Sequence, residues 1–142
     1  MKRDINRFLD AQNNWYDIAL KEIKNGRKEN HWIWFIFPQL RFLGQSFYSD
    51  IYGIEDLEEA KRYVNNSTLL NRYIECCNAL LSLEELDINL IMGGIDAMKL
   101  RSSLTLFYIA DENNRELYAS LINKYYSGVY DKLTLDYLDY QL

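Results

Sequence analysis

Apolar residues recur along most of this chain at three- and four-residue steps. Ile5, Phe8, Leu9, Gln12, Tyr16, Ala19, Leu20 and Ile23 form the first such stripe, the mark of an amphipathic helix. Asn13-Asn14 interrupts it and predicts two helices, because asparagine favours caps over interiors. Gly26 is placed to end the second in a left-handed cap. Asn30 then predicts an N-cap for a helix from His31 to about Phe37, which Pro38 stops. The stretch from Gly44 to Gly53 reads as a loop. Asp56 with Glu59 resembles a capping box and opens a helix to about Val64. After Asn65-Asn66, Ser67 to Leu83 carries a stripe through Leu70, Tyr73, Ile74, Cys77, Leu80 and Leu81. Asp87 to Met92 is a short turn of helix ended by Gly93-Gly94. Asp96 is read as the cap of a helix through Ala97, Leu100, Leu104, Phe107 and Tyr108. Asn114 opens the next, with Leu117, Tyr118, Leu121, Ile122 and Tyr125 inward and Gly128 at its end, and Asp131 starts a last short one. Strand-type alternation is weak throughout. The pattern predicts an all-α fold, one domain over residues 1–142 with about seven short helices.

Composition changes this picture in several places. A chain of 142 residues buries roughly 70% of its unfolded surface and needs no covalent staple. Twelve tyrosines lift the aromatic fraction to 15%, and tyrosine joins a large buried ring to a polar tip. The net charge of −5 without a basic run argues against a nucleic-acid surface. The start, Met1-Lys2-Arg3-Asp4, lacks the apolar core of a secretory signal, and no apolar run is long enough to span a membrane. These features predict a cytoplasmic protein with no membrane partner. Cys76 and Cys77 are neighbours, unsuited to bridging each other and without metal-ligand spacing. On a helix one of them is expected to face the core. No metal and no cofactor is expected, since GxGxxG, P-loop and HExxH patterns are absent.

Two segments carry polar residues that an ordinary core or surface does not require. The first is Gly26-Arg27-Lys28 with His31-Trp32, Trp34 and Pro38-Gln39. The second is Lys99-Leu100-Arg101-Ser102-Ser103. Lys99 and Ser103 are four apart and share a helix face, with Ser102 at its border. Arginine and lysine suit a phosphate or carboxylate, and a histidine can move a proton near neutrality. His31 and Lys99 are therefore the candidate catalytic pair. Arg27, Lys28, Trp32, Trp34, Gln39, Arg101, Ser102 and Ser103 are the candidate ligand-binding residues. Each has an ordinary alternative: a backbone-bonded histidine, tryptophans in the core, a basic helix end answering the macrodipole. Whether any reaction occurs is left open.

At these residues the chain resembles the bacterial domain-of-unknown-function 1810 family over nearly its whole length. The resemblance rests on Gly26-Arg27-Lys28, His31-Trp32, Trp34-Phe35 and Phe37-Pro38-Gln39-Leu40, followed by Gly44 and Ser46. It continues in Tyr52-Gly53-Ile54, Ala60 and Lys99-Leu100-Arg101-Ser102-Ser103 with Thr105-Leu106-Phe107. Many members carry Asp-Pro where this chain has Asn13-Asn14, and serine where it has Asn30. The resemblance implies a compact helical domain without an assigned reaction. The calpastatin-like label of some members does not suit a chain with the periodicity of a folded protein.

Two functions fit these residues. One is a pocket for a small anionic molecule, phosphorylated or nucleotide-like, built where the two polar segments meet. The other is a non-enzymatic interaction module using the tyrosine- and tryptophan-rich surface, with a homodimer as one form of it. Nucleic-acid binding ranks last. The choice turns on whether two segments some sixty residues apart meet in space.

Overall fold

The computed structural model describes residues 3–142; Met1 and Lys2, used above in reading the start of the chain, lie outside the described residues. It is all-α. Nine α-helices occur among the described residues: α1 (Asn6–Lys24), α2 (Ile33–Ile36), α3 (Phe47–Tyr52), α4 (Leu57–Asn65), α5 (Ser67–Leu81), α6 (Ile88–Met92), α7 (Gly94–Ala110), α8 (Arg115–Tyr126) and α9 (Lys132–Tyr137). Two 3₁₀ turns, Arg41–Leu43 and Glu112–Asn114, join them. The only extended pairing among these residues is a single bridge between Leu40 and Ile54.

Helix α7 is the axis. Leu100, Ser103, Leu104, Thr105, Leu106 and Phe107 are all buried on it, so it is apolar on nearly every side, as a central helix must be. It packs against α4, α6, α8 and α9, while α1 lies on α5 and α2. The buried apolar residues other than Ile109 form one contiguous cluster. Its centre is aromatic: Tyr63, Tyr73, Tyr118, Phe8, Phe37 and Phe107 are fully buried and meet edge to face, Phe8–Tyr63 at 5.1 Å and Tyr73–Tyr118 at 5.7 Å. Each buried tyrosine tip has a partner, as burial of a hydroxyl demands. Tyr73 bonds Ser103 Oγ at 2.8 Å, Tyr118 donates to Asp111 at 2.6 Å, and Tyr63 accepts from Gln12 at 3.1 Å.

Several expectations are corrected. Asn13 and Asn14 are exposed within one continuous helix; exposed asparagines cost a helix only tenths of a kcal/mol each, roughly, and packing on α5 outweighs that. The helix expected from His31 begins only at Ile33 and has one turn, because Asn30 is engaged elsewhere. Its end fits the expectation, since Phe37 before Pro38 takes φ −124°, ψ 72°, outside the helical region that a following proline disfavours. The Gly44–Gly53 stretch holds α3, opened by a reciprocal Ser46–Ser49 capping box. Asp96 is not a cap but lies in the first turn of α7, which starts at Gly94. Gly93 precedes it at φ 84°, a conformation open to glycine. Both cysteines are buried, not one. Burial pushes the Cys76 thiol up to about 12 and Cys77 well above its ordinary value, so neither is a reactive thiolate.

Candidate functional site

The site is assembled around Glu22, a buried carboxylate near the end of α1 that sequence reasoning missed. One oxygen accepts from the backbone N–H of Glu29 (2.7 Å), that of Asn30 (3.0 Å) and the indole N–H of Trp32 (2.8 Å). The other accepts from the Asn30 side-chain amide. Burial works to raise its pKa, but these bonds, from Asn30, Glu29 and Trp32, outweigh it and hold it at about 2, as expected for a carboxylate with several donors. The chain is thereby folded back after α1, and Lys28 N–H donates to Ile91 O on α6 at 2.7 Å. His31 is delivered to the start of α7.

There the two polar segments meet. Asp96 Oδ2 pairs with Lys28 at 2.7 Å and Asp96 Oδ1 with Lys99 at 3.6 Å. Lys28 is only 5% exposed along its side chain and lies 4.9 Å from the centre of the Trp32 ring; Lys99 lies 5.8 Å from that of Trp34. A cavity of about 240 Å³ is lined by His31, Ile33, Trp34, Phe35, Ser46, Tyr48, Asp96 and Lys99. A shallower depression beside it also has His31, Asp96 and Lys99 in its wall. A further cavity of about 220 Å³ is lined by Gln39, Leu43, Ile95, Met98, Lys99, Ser102, Asp131 and Leu133. Lys99 thus borders every one of these spaces.

Gly44 fixes the wall between α2 and α3. A β-carbon there would lie 2.3 Å from Ser49 Cβ and 2.8 Å from the Trp34 ring, so only glycine allows this approach. The bridge behind it is closed by Arg41 N–H to Ile54 O and Ile54 N–H to Gln39 O, each 2.8 Å.

Of the ten residues singled out from the sequence, His31, Trp34 and Lys99 line the first cavity, and Gln39, Lys99 and Ser102 the second. The remaining five have other surroundings. Arg27 is exposed, and its guanidinium pairs with no described residue. Lys28 is held by Asp96. Trp32 is fully buried with its N–H taken by Glu22, which leaves no face for stacking a ligand. Ser103 is fully buried against Tyr73. Arg101 lies 4.0 Å from Asp131 and over the Tyr126 ring. The His31 imidazole is exposed and hydrogen-bonds to no described residue, so the orienting partner of a general base is not built here. Tyr48, Ser46 and Asp96 were missed as wall residues. Ser46 lies within the quoted motif, and Asp96 stands three before Lys99, a helix-neighbour spacing.

Among the described residues no group of histidine, cysteine, aspartate and glutamate could hold a metal ion, and no helix is long and apolar enough to cross a membrane.

Fold and cleft together define an all-α protein with paired cavities about one lysine. Residues 2–138 match the family described as a protein of unknown function, DUF1810, and the chain belongs to that family. It is also similar to the crystal structure of the conserved hypothetical protein Rv1873 from Mycobacterium tuberculosis. The TM-score is 0.93 and the identity 40%, over 97% of this chain and 98% of that one. No curated protein matches the chain.

Proposed function

We propose that this protein binds a small anionic molecule, phosphorylated or nucleotide-like, in the cleft between the Arg27–Gln39 and Lys99–Ser103 segments. One observation carries the reading: two ammonium groups, Lys28 and Lys99, share the single carboxylate of Asp96. One positive charge is left over. Lys28 is the closer and more buried partner, so the surplus resides on Lys99, at the cavity wall. An anion there gains a charge-assisted bond in a partly dry setting. His31, Ser46 and Tyr48 supply hydrogen bonds around it, and Trp34 an apolar face.

In this reading His31 and Lys99 are binding groups, with no reaction assigned. Lys28 and Trp32 position the cleft through Asp96 and Glu22, Ser103 braces it through Tyr73, and Arg101 flanks Asp131. Arg27 extends the positive field outside. The first cavity is below the 300–1,000 Å³ usual for whole drug-sized ligands, roughly, so it suits the anionic end of a molecule. Adjacent unbridged thiols fit a reducing compartment such as the cytoplasm, and one contiguous core fits a single domain.

The test is a titration with inorganic phosphate and ribose 5-phosphate, followed by backbone amide NMR. The expected result is saturable shifts at Asp96–Lys99 and His31–Phe35, abolished by Lys99→Met. Absence of saturable shifts with both probes overturns the reading.

A second reading has its own observation. Ile95, Met98 and Leu133 are exposed around the second cavity, Ile95 at 73%, and such a rim also suits a protein partner. A second copy of the chain is the simplest such partner. Sedimentation of wild type against Ile95→Glu separates the two: dimers lost in the variant support the interaction module, and monomers in both remove it.

A further inference from the structure

The second cavity contains a buried amide that the protein does not use. Gln39 is 3% exposed, lines this cavity, and its side chain hydrogen-bonds to no described residue. Gln12, the other buried glutamine, shows the normal state. Its Nε2 donates to Phe35 O at 2.9 Å and Tyr63 Oη at 3.1 Å, and its Oε1 accepts from Arg72 at 3.3 Å. A fold that satisfies Gln12 completely and leaves Gln39 free is a fold with a place for a partner.

The neighbours define what that partner presents. Asp131 Oδ2 accepts from Thr134 N–H and Oγ–H, but Asp131 Oδ1 has only Arg101 at 4.0 Å and keeps accepting capacity. Ser102 donates to Met98 O at 3.2 Å and retains lone pairs. Gln39 offers both a donor and an acceptor. The free groups are therefore one amide and two further acceptors, the complement of a donor beside an acceptor, an edge that all four common bases carry. Asp131 disfavours a second anionic group here. Leu43, Ile95, Met98 and Leu133 supply apolar walls. About 220 Å³, against roughly 30 Å³ for a water, holds one ring.

Resting on the anion-site reading, we propose that the second cavity takes the uncharged end of the same ligand: a pyrimidine- or purine-type ring whose edge sets a donor beside an acceptor. Lys99 borders both cavities, so one molecule reaches both with its anionic group at the ammonium.

The experiment measures affinities by calorimetry for ribose 5-phosphate and for the 5′-monophosphates of uridine, guanosine, cytidine and adenosine. All four rings carry that edge, and the best-fitting nucleotide is expected to bind at least tenfold tighter than ribose 5-phosphate. Gln39→Leu should erase the gain and leave ribose 5-phosphate affinity unchanged, which also shows that the variant is folded. A best gain below tenfold, or a gain that survives Gln39→Leu, overturns the proposal. Free uridine and guanosine, followed at the Ser102 and Leu133 amides, separate the two readings. Shifts there without any response to phosphate sink the anion site and retain the ring site.

Discussion

The Glu22 node and the Lys99 cleft stand side by side, meeting at the stretch of chain around Lys28–Trp34, and they treat polar groups in opposite ways. At Glu22 one carboxylate takes four donors. Around Lys99 there is one carboxylate for two ammoniums, and an imidazole and the Gln39 amide with no partner among the described residues. The closed node orders the chain; the open cleft leaves those groups unpaired among the described residues. The motif around His31 is thus two devices, and much of its polarity serves the first.

The contrast can be broken most forcefully at Asp96. Asp96→Asn leaves the Lys28 ammonium, nearly buried, without its counter-charge, and a loss of about 3 kcal/mol is expected in urea unfolding. Next is Gly44→Ala, whose methyl has no room beside Ser49 and Trp34; overpacking of this kind costs about 2 kcal/mol and should also weaken phosphate binding by moving the cavity wall.

Glu22→Gln keeps the shape and removes the charge, at about 1.5 kcal/mol. It also has a pH signature. The folded pKa of about 2 lies below the ordinary 4.5, so the carboxylate contributes its full stability above 4.5 and loses it as pH falls toward 2. Acid titration of stability should therefore be shallower in the variant across that window. An unchanged slope would show that Glu22 is not the anchor described.

Lys99→Met is the smallest in stability, below about 0.5 kcal/mol, since a partly exposed pair contributes little. Yet it should abolish phosphate binding. A large stability loss here would mean that Lys99 belongs to the closed node after all.

The sequence pattern revealed the long helices because their stripes match the 3.6-residue period, as Leu100, Leu104 and Phe107 do on α7. The helix starts at Asp56 and Asp131 were legible because each side chain accepts from a backbone N–H three residues on, a local bond. Glu22 was not legible: its partners lie seven to ten residues away across a turn, and no spacing rule covers that. Asn30 looked like a helix cap for the same reason, since its real partner is tertiary. The pairing of His31 with Lys99 around one cavity rests on the packing of α7 beside the 25–32 loop. Gln39 could be named from the sequence, but its missing partner is visible only when every neighbour is known.

Trp32 and Trp34 also give the molecule its own optical reporters. The Trp32 indole is sealed and bonded to a fixed carboxylate, so its emission is a constant background. Trp34 forms part of the cavity wall within 5.8 Å of the Lys99 ammonium, where an arriving solute alters the local field. Intrinsic fluorescence, corrected with a Trp34→Phe chain, can therefore register occupancy of the cleft without any added label.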